Sequence, residues 1–110
     1  MIDGMNFEGV STCNWREIKA IEGVPGITIR NLWTGDNNKR VDVYEFEPGA
    51  NYGALDVHED GPEQVYVLSG IFNDGREDHQ AGTFLHHPKG SAHVPQSKVG
   101  CTLLVMFPEG

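Results

Sequence analysis

Short runs of β-branched and aromatic residues alternate with clusters of turn-forming residues along this chain. No segment carries apolar residues at positions i, i+3, i+4 and i+7 over three turns, so the pattern does not favour helices. We predict an all-β fold, a small antiparallel β-barrel or jelly roll, because six or more short strands at this spacing are typical of such architectures. The predicted strands are 27–33, 40–46, 63–68, 70–74, 83–87 and 101–107.

Polar segments between these strands predict tight turns. The segments "TGDNNK", "EPGA", "NDGR" and "PKGS" are rich in Gly, Pro, Asn and Asp, which favour turn conformations. Asp74-Gly75 predicts a hairpin with a primed turn, because that dipeptide tolerates positive φ. We expect residues 23–110 to form one barrel domain. We expect residues 1–22 to form an N-terminal arm that docks as an edge strand or a short helical turn, with Trp15 as a packing anchor.

Composition narrows the choice of partners and compartment. Sixteen acidic and eight basic side chains give a net charge of −8, which disfavours binding to nucleic acid or anionic membranes. No window has the roughly 18 apolar residues of a membrane span, and the first residues lack the pattern of a signal peptide. We therefore expect a soluble cytoplasmic protein. Cys13 and Cys101 are far apart and stand alone, so we expect two reduced thiols.

Four residues combine imidazole and carboxylate groups at spacings that suit a metal site. Asp56 and His58 are two positions apart and share one face of a strand, and Glu63 can return to that face after the turn "EDGP". His93 follows a second segment rich in Gly and Pro. Burying such groups costs several kcal/mol each unless a cation or hydrogen bonds offset it. A divalent ion on His58, Glu63 and His93 would do so; the alternative is a wet pocket in which His58 and Glu63 simply pair.

The spacing of these residues resembles the two sequence motifs of the cupin superfamily. The positions in register are His58, Glu63, Gly70, Gly82, Pro88, Gly90 and His93. The segments "PGANY", "VYVLSGIFND" and "AGTFLHHPKGSAHVPQS" resemble more closely the ChrR-like branch, which is named for the C-terminal domain of a zinc anti-sigma factor. The resemblance implies a double-stranded β-helix barrel and metal ligands at His58, Glu63 and His93.

The chain departs from the cupin pattern at three places. Asp56 replaces the first histidine of the usual pair, six residues instead of five separate Gly49 from Asp56, and Ser97 replaces the final Asn. A bulge near Gly53 can absorb the extra residue. If Asp56 binds the ion, two imidazoles and two carboxylates suit Fe, Mn or Zn more than copper; otherwise the set is the two-His, one-carboxylate arrangement of non-haem iron oxygenases. Asp56 could instead orient a ligand through a hydrogen bond.

Other candidates have weaker support from the sequence. Strand alternation puts either His86 or His87 inside the barrel, where it either touches metal or substrate or packs as an ordinary side chain. We expect His79 to be a solvated hairpin residue and Cys101 to be a buried, unreactive thiol. We expect Glu59 to be a surface acid in the turn. Three tyrosines could donate to a substrate, and the sequence does not choose among Tyr44, Tyr52 and Tyr66.

Two classes of function follow. The resemblance implies a metal-dependent oxidoreductase of dioxygenase type, since similar cupins cleave diketones and hydroxylated aromatic ketones. The cofactor is then a divalent ion (Fe, Mn, Zn or Ni) and the partner a small organic molecule. The alternative is a non-catalytic metal- and ligand-binding sensor module like the ChrR regulatory domain. No residue is singled out as catalytic. We also expect a homodimer, which would cover free sheet edges and apolar surface.

Overall fold

Antiparallel β-strands are the main regular structure of the computed structural model, which describes residues 2–110. Two 3₁₀ helices lie at Trp15–Glu17 and Asp36–Asn38. The strands of the described residues are β1 Ile21–Glu22, β2 Ile27–Thr34, β3 Arg40–Phe46, β4 Asp56–Val57, β5 Glu63–Asn73, β6 Asp78–Gln80, β7 Phe84–His87, β8 Ala92–His93 and β9 Cys101–Phe107. Within residues 2–110, no helix has the length and apolar character needed to cross a membrane.

The strands form one large sheet and one small one. The large sheet has the order β1-β2-β3-β9-β5-β6, with β7 beside the first half of β5, and β4 pairs with β8 in a separate two-stranded ladder. Neighbours in the sheet are often distant in sequence, as in the pairing of β3 with β9. The structure thus confirms the predicted all-β antiparallel fold of jelly-roll type.

The interior is built from the alternating positions of the long strands. Val65 and Val67 of β5 and Leu103 and Val105 of β9 are almost fully buried, and Phe72 packs edge-on against Phe46 with ring centroids 6.0 Å apart. Alternate side chains of a strand point to opposite faces, so a run such as "EQVYV" places every second residue in the core. This core supports the walls of the cavity described below.

Strands β3 and β9 have the predicted bounds, but β5 differs from the prediction. Segments 63–68 and 70–74 were expected to be two strands, and the structure joins them into one. The register of β5 against β9 shifts between Val67 and Ser69, a β-bulge that bends the strand without ending it. Gly70 follows the bulge with a φ of +75°, so the chain can turn there and stay paired.

The hairpin predicted at Asp74-Gly75 is present, with a loop of residues 74–77 instead of a two-residue turn. Asp74 Oδ1 accepts hydrogen bonds from the backbone N–H groups of Arg76 and Glu77, each 2.9 Å long. The expectation that His79 is solvated is wrong. Its side chain is only 12% exposed, because Nε2 lies 2.8 Å from Asp74 Oδ2 and the ring stacks on Phe72.

The N-terminal segment contacts the sheet through its 3₁₀ helix and β1. Arg30 of β2 donates a hydrogen bond from Nη1 to the Trp15 carbonyl (3.1 Å), and its guanidinium lies 5.3 Å from the centre of the Trp15 ring. Met1, the first residue of the predicted arm, lies outside the described residues. β1 pairs only with β2 among the described strands, so the segment contains both forms anticipated from the sequence.

The two cysteines of the chain are both free thiols. Cys13 is exposed and Cys101 is buried at the start of β9. Burial raises the pKa of the Cys101 thiol to about 11, which keeps it protonated. The expectation of a buried, unreactive thiol at this position agrees with the structure.

Replacement of Gly70 by Ala tests the bend in β5. A Cβ at Gly70 would collide with the Gly100 carbonyl oxygen and lie 2.7 Å from Cys101 Cα, in addition to the strain of a positive φ. We expect Gly70→Ala to lower the free energy of unfolding by more than about 3 kcal/mol, measured by urea denaturation.

Gly82→Ala is the matched control for this measurement. Gly82 has a φ of +93°, but an added Cβ would meet nothing within 4 Å. This variant should show the backbone strain alone, about 1 kcal/mol. Equal losses in the two variants would contradict the steric argument at Gly70.

Candidate metal centre

The four candidate metal ligands predicted from the sequence come together at one end of the barrel interior. They are Asp56, His58, Glu63 and His93. One donor atom from each lies within 4.8 Å of the others. Asp56 and His93 are direct partners across the β4–β8 ladder, and Glu63 is the first residue of β5. His58 follows β4, where its backbone N–H donates to the Ser91 carbonyl (2.9 Å). The small ladder and the large sheet therefore each contribute donors.

The distances between the donor atoms suit a shared ion. His93 Nε2 lies 3.2 Å from Asp56 Oδ2 and 3.6 Å from Glu63 Oε1, and His58 Nε2 lies 3.6 Å from the same Glu63 oxygen. Donors about 2.1 Å from one ion are roughly 3.0–3.4 Å apart at octahedral or tetrahedral angles. These three separations lie within a few tenths of an ångström of that range.

Three of the four side chains are buried and incompletely hydrogen-bonded. The side chains of His58, Glu63 and His93 are 5–6% exposed, and His58 Nε2 has no hydrogen-bond partner. The 3.6 Å separation of His58 Nε2 from Glu63 is too long for a hydrogen bond, so simple pairing of these two residues does not satisfy them. Imidazole and carboxylate donors are the set that Fe, Mn, Zn and Ni accept. The residues present thus fit a divalent ion.

Asp56 differs from the other three in its exposure. Its side chain is 32% exposed and its carboxylate lies within hydrogen-bond distance of His93. That hydrogen bond, helped by the nearby histidines, holds the pKa of Asp56 below its ordinary value. Asp56 is therefore an anionic group at the exposed rim of the cluster.

Burial controls the ionisation of the inner groups. It raises the pKa of Glu63 to about 7, against the opposing influence of His93, and it lowers the pKa of His58. Both shifts favour the neutral forms, since low-dielectric surroundings penalise charge. A divalent cation among these groups would reverse the penalty on the carboxylate and accept the neutral imidazole directly.

The choice between His86 and His87 is settled by the register of β7. His87 pairs directly with Glu63 across β5 and β7, and its ring centroid lies 4.3 Å from that of His93 and 5.5 Å from that of His58. Burial lowers the pKa of His87 to about 4. His86 is exposed, with Nδ1 3.3 Å from Gln64 Nε2. His87 is thus the interior histidine of the pair.

A cavity of about 590 Å³ opens beside the cluster. Its apolar walls come from the inner faces of β2, β3, β5 and β9, including Ile29, Phe46 and Leu103. This volume is within the usual range for small-molecule sites, about 300–1,000 Å³. One wall of the cavity therefore carries the candidate metal ligands, and the others present apolar surface.

Polar residues at the cavity include two of the three candidate tyrosines. Tyr44 and Tyr52 line the cavity, whereas the side chain of Tyr66 is exposed on the outer face of the sheet. Burial, together with Glu63 and Asp42, raises the pKa of Tyr44, so its hydroxyl stays protonated and can donate. Arg40 also lines the cavity, although no feature of the sequence marks it as a site residue.

The remaining departures from the expected spacing have structural roles. Gly53 adopts a φ of +78° and its N–H donates to Asn51 Oδ1 (2.7 Å), a turn that accommodates the extra residue before Asp56. Ser97 is buried, and its hydroxyl donates to the Ile71 carbonyl (2.6 Å). Glu59, expected to be a surface acid, is exposed.

Comparisons with solved structures identify the fold. An RmlC-like cupin from Shewanella frigidimarina is similar with a TM-score of 0.77 and 18% identity over 89% of each chain. A predicted oxalate decarboxylase from Thermotoga maritima has a TM-score of 0.72 and 22% identity over 89% of this chain and 98% of that one. In the Rhodobacter sphaeroides complex of SigE with the anti-sigma ChrR, the match has a TM-score of 0.73 and 19% identity; it covers 86% of this chain but only 50% of that one. At these identities the likeness establishes the fold alone.

The sequence comparisons identify the branch. No curated protein sequence matches the chain. The family profile described as "ChrR Cupin-like domain" matches residues 8–108, which is nearly the whole chain. The antiparallel jelly roll and the positions of the motif residues agree with that match. The chain therefore belongs to the ChrR cupin-like domain family of the cupin superfamily.

Proposed function

We propose that this cupin binds a divalent metal ion, Fe, Mn, Zn or Ni, and acts on a small organic molecule as an oxidoreductase of dioxygenase type. His58, Glu63 and His93 hold the ion, with Asp56 as a fourth donor. The observation that carries the proposal is the position of this donor cluster at the polar end of an apolar cavity. A molecule in the cavity would lie directly beside the ion.

The cavity indicates which kind of molecule fits. Ile29, Phe46 and Leu103 offer contact to a flat or branched hydrocarbon portion, while the ion would face an oxygen-bearing portion. The protonated Tyr44 hydroxyl supplies a hydrogen-bond donor at the same wall. A bound divalent ion supplies Lewis-acid chemistry and, when it is Fe or Mn, redox chemistry. The residues of the chain position the molecule and exclude water from it.

A sensor module is the second candidate. Its support is the family profile, which bears the name of ChrR, and the similarity to a chain in the complex of SigE with the anti-sigma ChrR. In this alternative the same cluster holds the ion tightly and the cavity binds a metabolite without turnover.

We propose a cytoplasmic location for either function, supported by the two free thiols of Cys13 and Cys101.

We also propose that the chain forms a homodimer through its N-terminal arm. In this proposal the arm is residues 1–22 and the barrel domain is residues 23–110. In the described part of the arm, the large apolar side chains Ile2, Met5, Phe7 and Val10 are between 52% and 81% exposed. The adjoining β1 has only two residues. A second copy of the chain would cover this apolar surface and the short edge at once.

Metal binding is tested first. We expect His93→Ala to abolish binding nearly completely, because His93 Nε2 lies beside both carboxylates. Asp56→Ala should weaken binding about tenfold, since its carboxylate lies at the exposed rim. Glu59→Ala, which removes an exposed carboxylate in the adjacent turn, should bind as wild type does. The measurements are metal stoichiometry by elemental analysis and affinity by titration. Wild type that takes up none of Fe, Mn, Zn or Ni, or undiminished binding by His93→Ala, would overturn the proposal.

Enzyme and sensor are separated by metal content and oxygen uptake. The enzyme proposal predicts iron in the natively purified protein and oxygen consumption with some member of a panel of diketones and hydroxylated aromatic ketones. The same panel should give no uptake with His93→Ala. Zinc that survives chelation, with ligand binding but no oxygen uptake across the panel, would favour the sensor and refute the dioxygenase.

The homodimer is tested by light scattering at micromolar concentration. We expect twice the mass of one chain for wild type and a single-chain mass for Phe7→Ser combined with Val10→Ser, because these changes remove exposed apolar surface from the arm. Val99→Ser removes an apolar side chain of similar exposure (61%) near β9 and should remain dimeric. A monomeric wild type would refute the dimer.

A further inference from the structure

Buried imidazole nitrogens without hydrogen-bond partners gather around the proposed metal centre. His58 Nε2, His87 Nε2 and His93 Nδ1 are each inaccessible to solvent and have no hydrogen-bond partner. A buried polar atom in this state costs about 1–3 kcal/mol unless something satisfies it. His93 already faces Asp56 and Glu63 through its other nitrogen, Nε2, so the two unsatisfied Nε2 atoms of His58 and His87 are the ones that a shared ion would satisfy.

The position of His87 makes it a candidate for that role. It lies directly opposite Glu63 in the β5–β7 ladder, and such cross-strand partners project to the same face of the sheet. Donor atoms of His58, His87 and His93 all lie within 4.8 Å of one another. His58 and His93 therefore belong to two overlapping sets, one completed by Asp56 and Glu63 and the other by His87.

We propose that His87 is a direct ligand of the metal ion and supplies from β7 the third imidazole that Asp56 replaces at β4. This proposal rests on the proposed metal-binding function. An ion held by His58 and His93 could also be bound by the two carboxylates and by His87, because both donor sets contain these two imidazoles. The nitrogen donors of the site then come from three separate segments of the chain, and Asp56 adds an oxygen donor where the first motif usually has a nitrogen.

The location of His87 explains why its neighbour cannot take this role. His86 precedes it on β7 and points to the opposite face, where it is exposed and close to Gln64. The two histidines thus have the same chemistry and adjacent positions but opposite orientations. His86 is therefore a matched control for every measurement on His87.

The test uses zinc alone as the probe, with wild type, His87→Gln and His86→Gln. X-ray absorption at the zinc edge counts imidazole ligands from their outer-shell scattering, and titration gives the affinity. We expect three imidazoles in wild type and His86→Gln, but two in His87→Gln with affinity reduced more than about 100-fold. Circular dichroism verifies that each variant is folded.

The possible outcomes separate the two proposals. Two imidazoles in wild-type protein, or equal affinities of the His87 and His86 variants, would refute the role of His87 and leave the metal function intact. A wild type that binds no zinc and none of the other divalent ions would refute both. If His87→Gln does not fold, the imidazole count of the wild type alone decides, with three supporting the proposal and two overturning it.

Discussion

The burial of ionisable groups at one end of the barrel is the constraint on which the rest of the structure depends. Glu63, His58 and His93 are withdrawn from water together, and two cross-strand pairs, Asp56 with His93 and Glu63 with His87, hold them in place. Antiparallel pairing fixes the Cα atoms of direct partners about 4.5–5.5 Å apart. Folding of the backbone therefore already orders these side chains, so metal binding would lose little further conformational entropy. The main remaining cost is desolvation of the donor groups.

The cavity and the donor cluster depend on the same packing. Strands β3, β5 and β9 carry the apolar positions that enclose the cavity, and β5 also begins with Glu63. Because Glu63 and Val65 are alternate residues on one face, the strand that builds the wall also delivers the carboxylate to it. Changes in the core of β5 would therefore alter the position of a donor as well as stability.

Much of this could be predicted from local sequence. The period-two patterns of 40–46 and 101–107 gave β3 and β9 with their observed bounds, and the two-residue spacing of Asp56 and His58 placed both on one side of the chain. Those signals are local, because alternation within a strand needs no knowledge of its partner. The bend at Gly70 was misread as a strand end, since the turn and the bulge use the same residue and only pairing with β9 separates them.

The rest depends on register between distant segments. Which of His86 and His87 faces inward follows from the pairing of β7 with Glu63, and the burial of His79 follows from its contact with Asp74. Neither relation has a signature within the segment itself. Strands β4 and β8 carry Asp56 and His93. Each has only two residues, which is too short for a periodic pattern to be detected in the sequence. The position of Arg40 at the cavity likewise depends on a long-range pairing, that of β3 with β9.

The small β4–β8 ladder has a kinetic consequence. It contains only two residue pairs, whereas Glu63, the carboxylate that faces it, belongs to β5 of the large sheet. Short, isolated ladders open more readily than the central strands of a domain. An ion bound to donors of the ladder and of the large sheet would link the two. The rate of metal exchange would then be set by local opening of the ladder and not by the strength of the individual metal–ligand bonds.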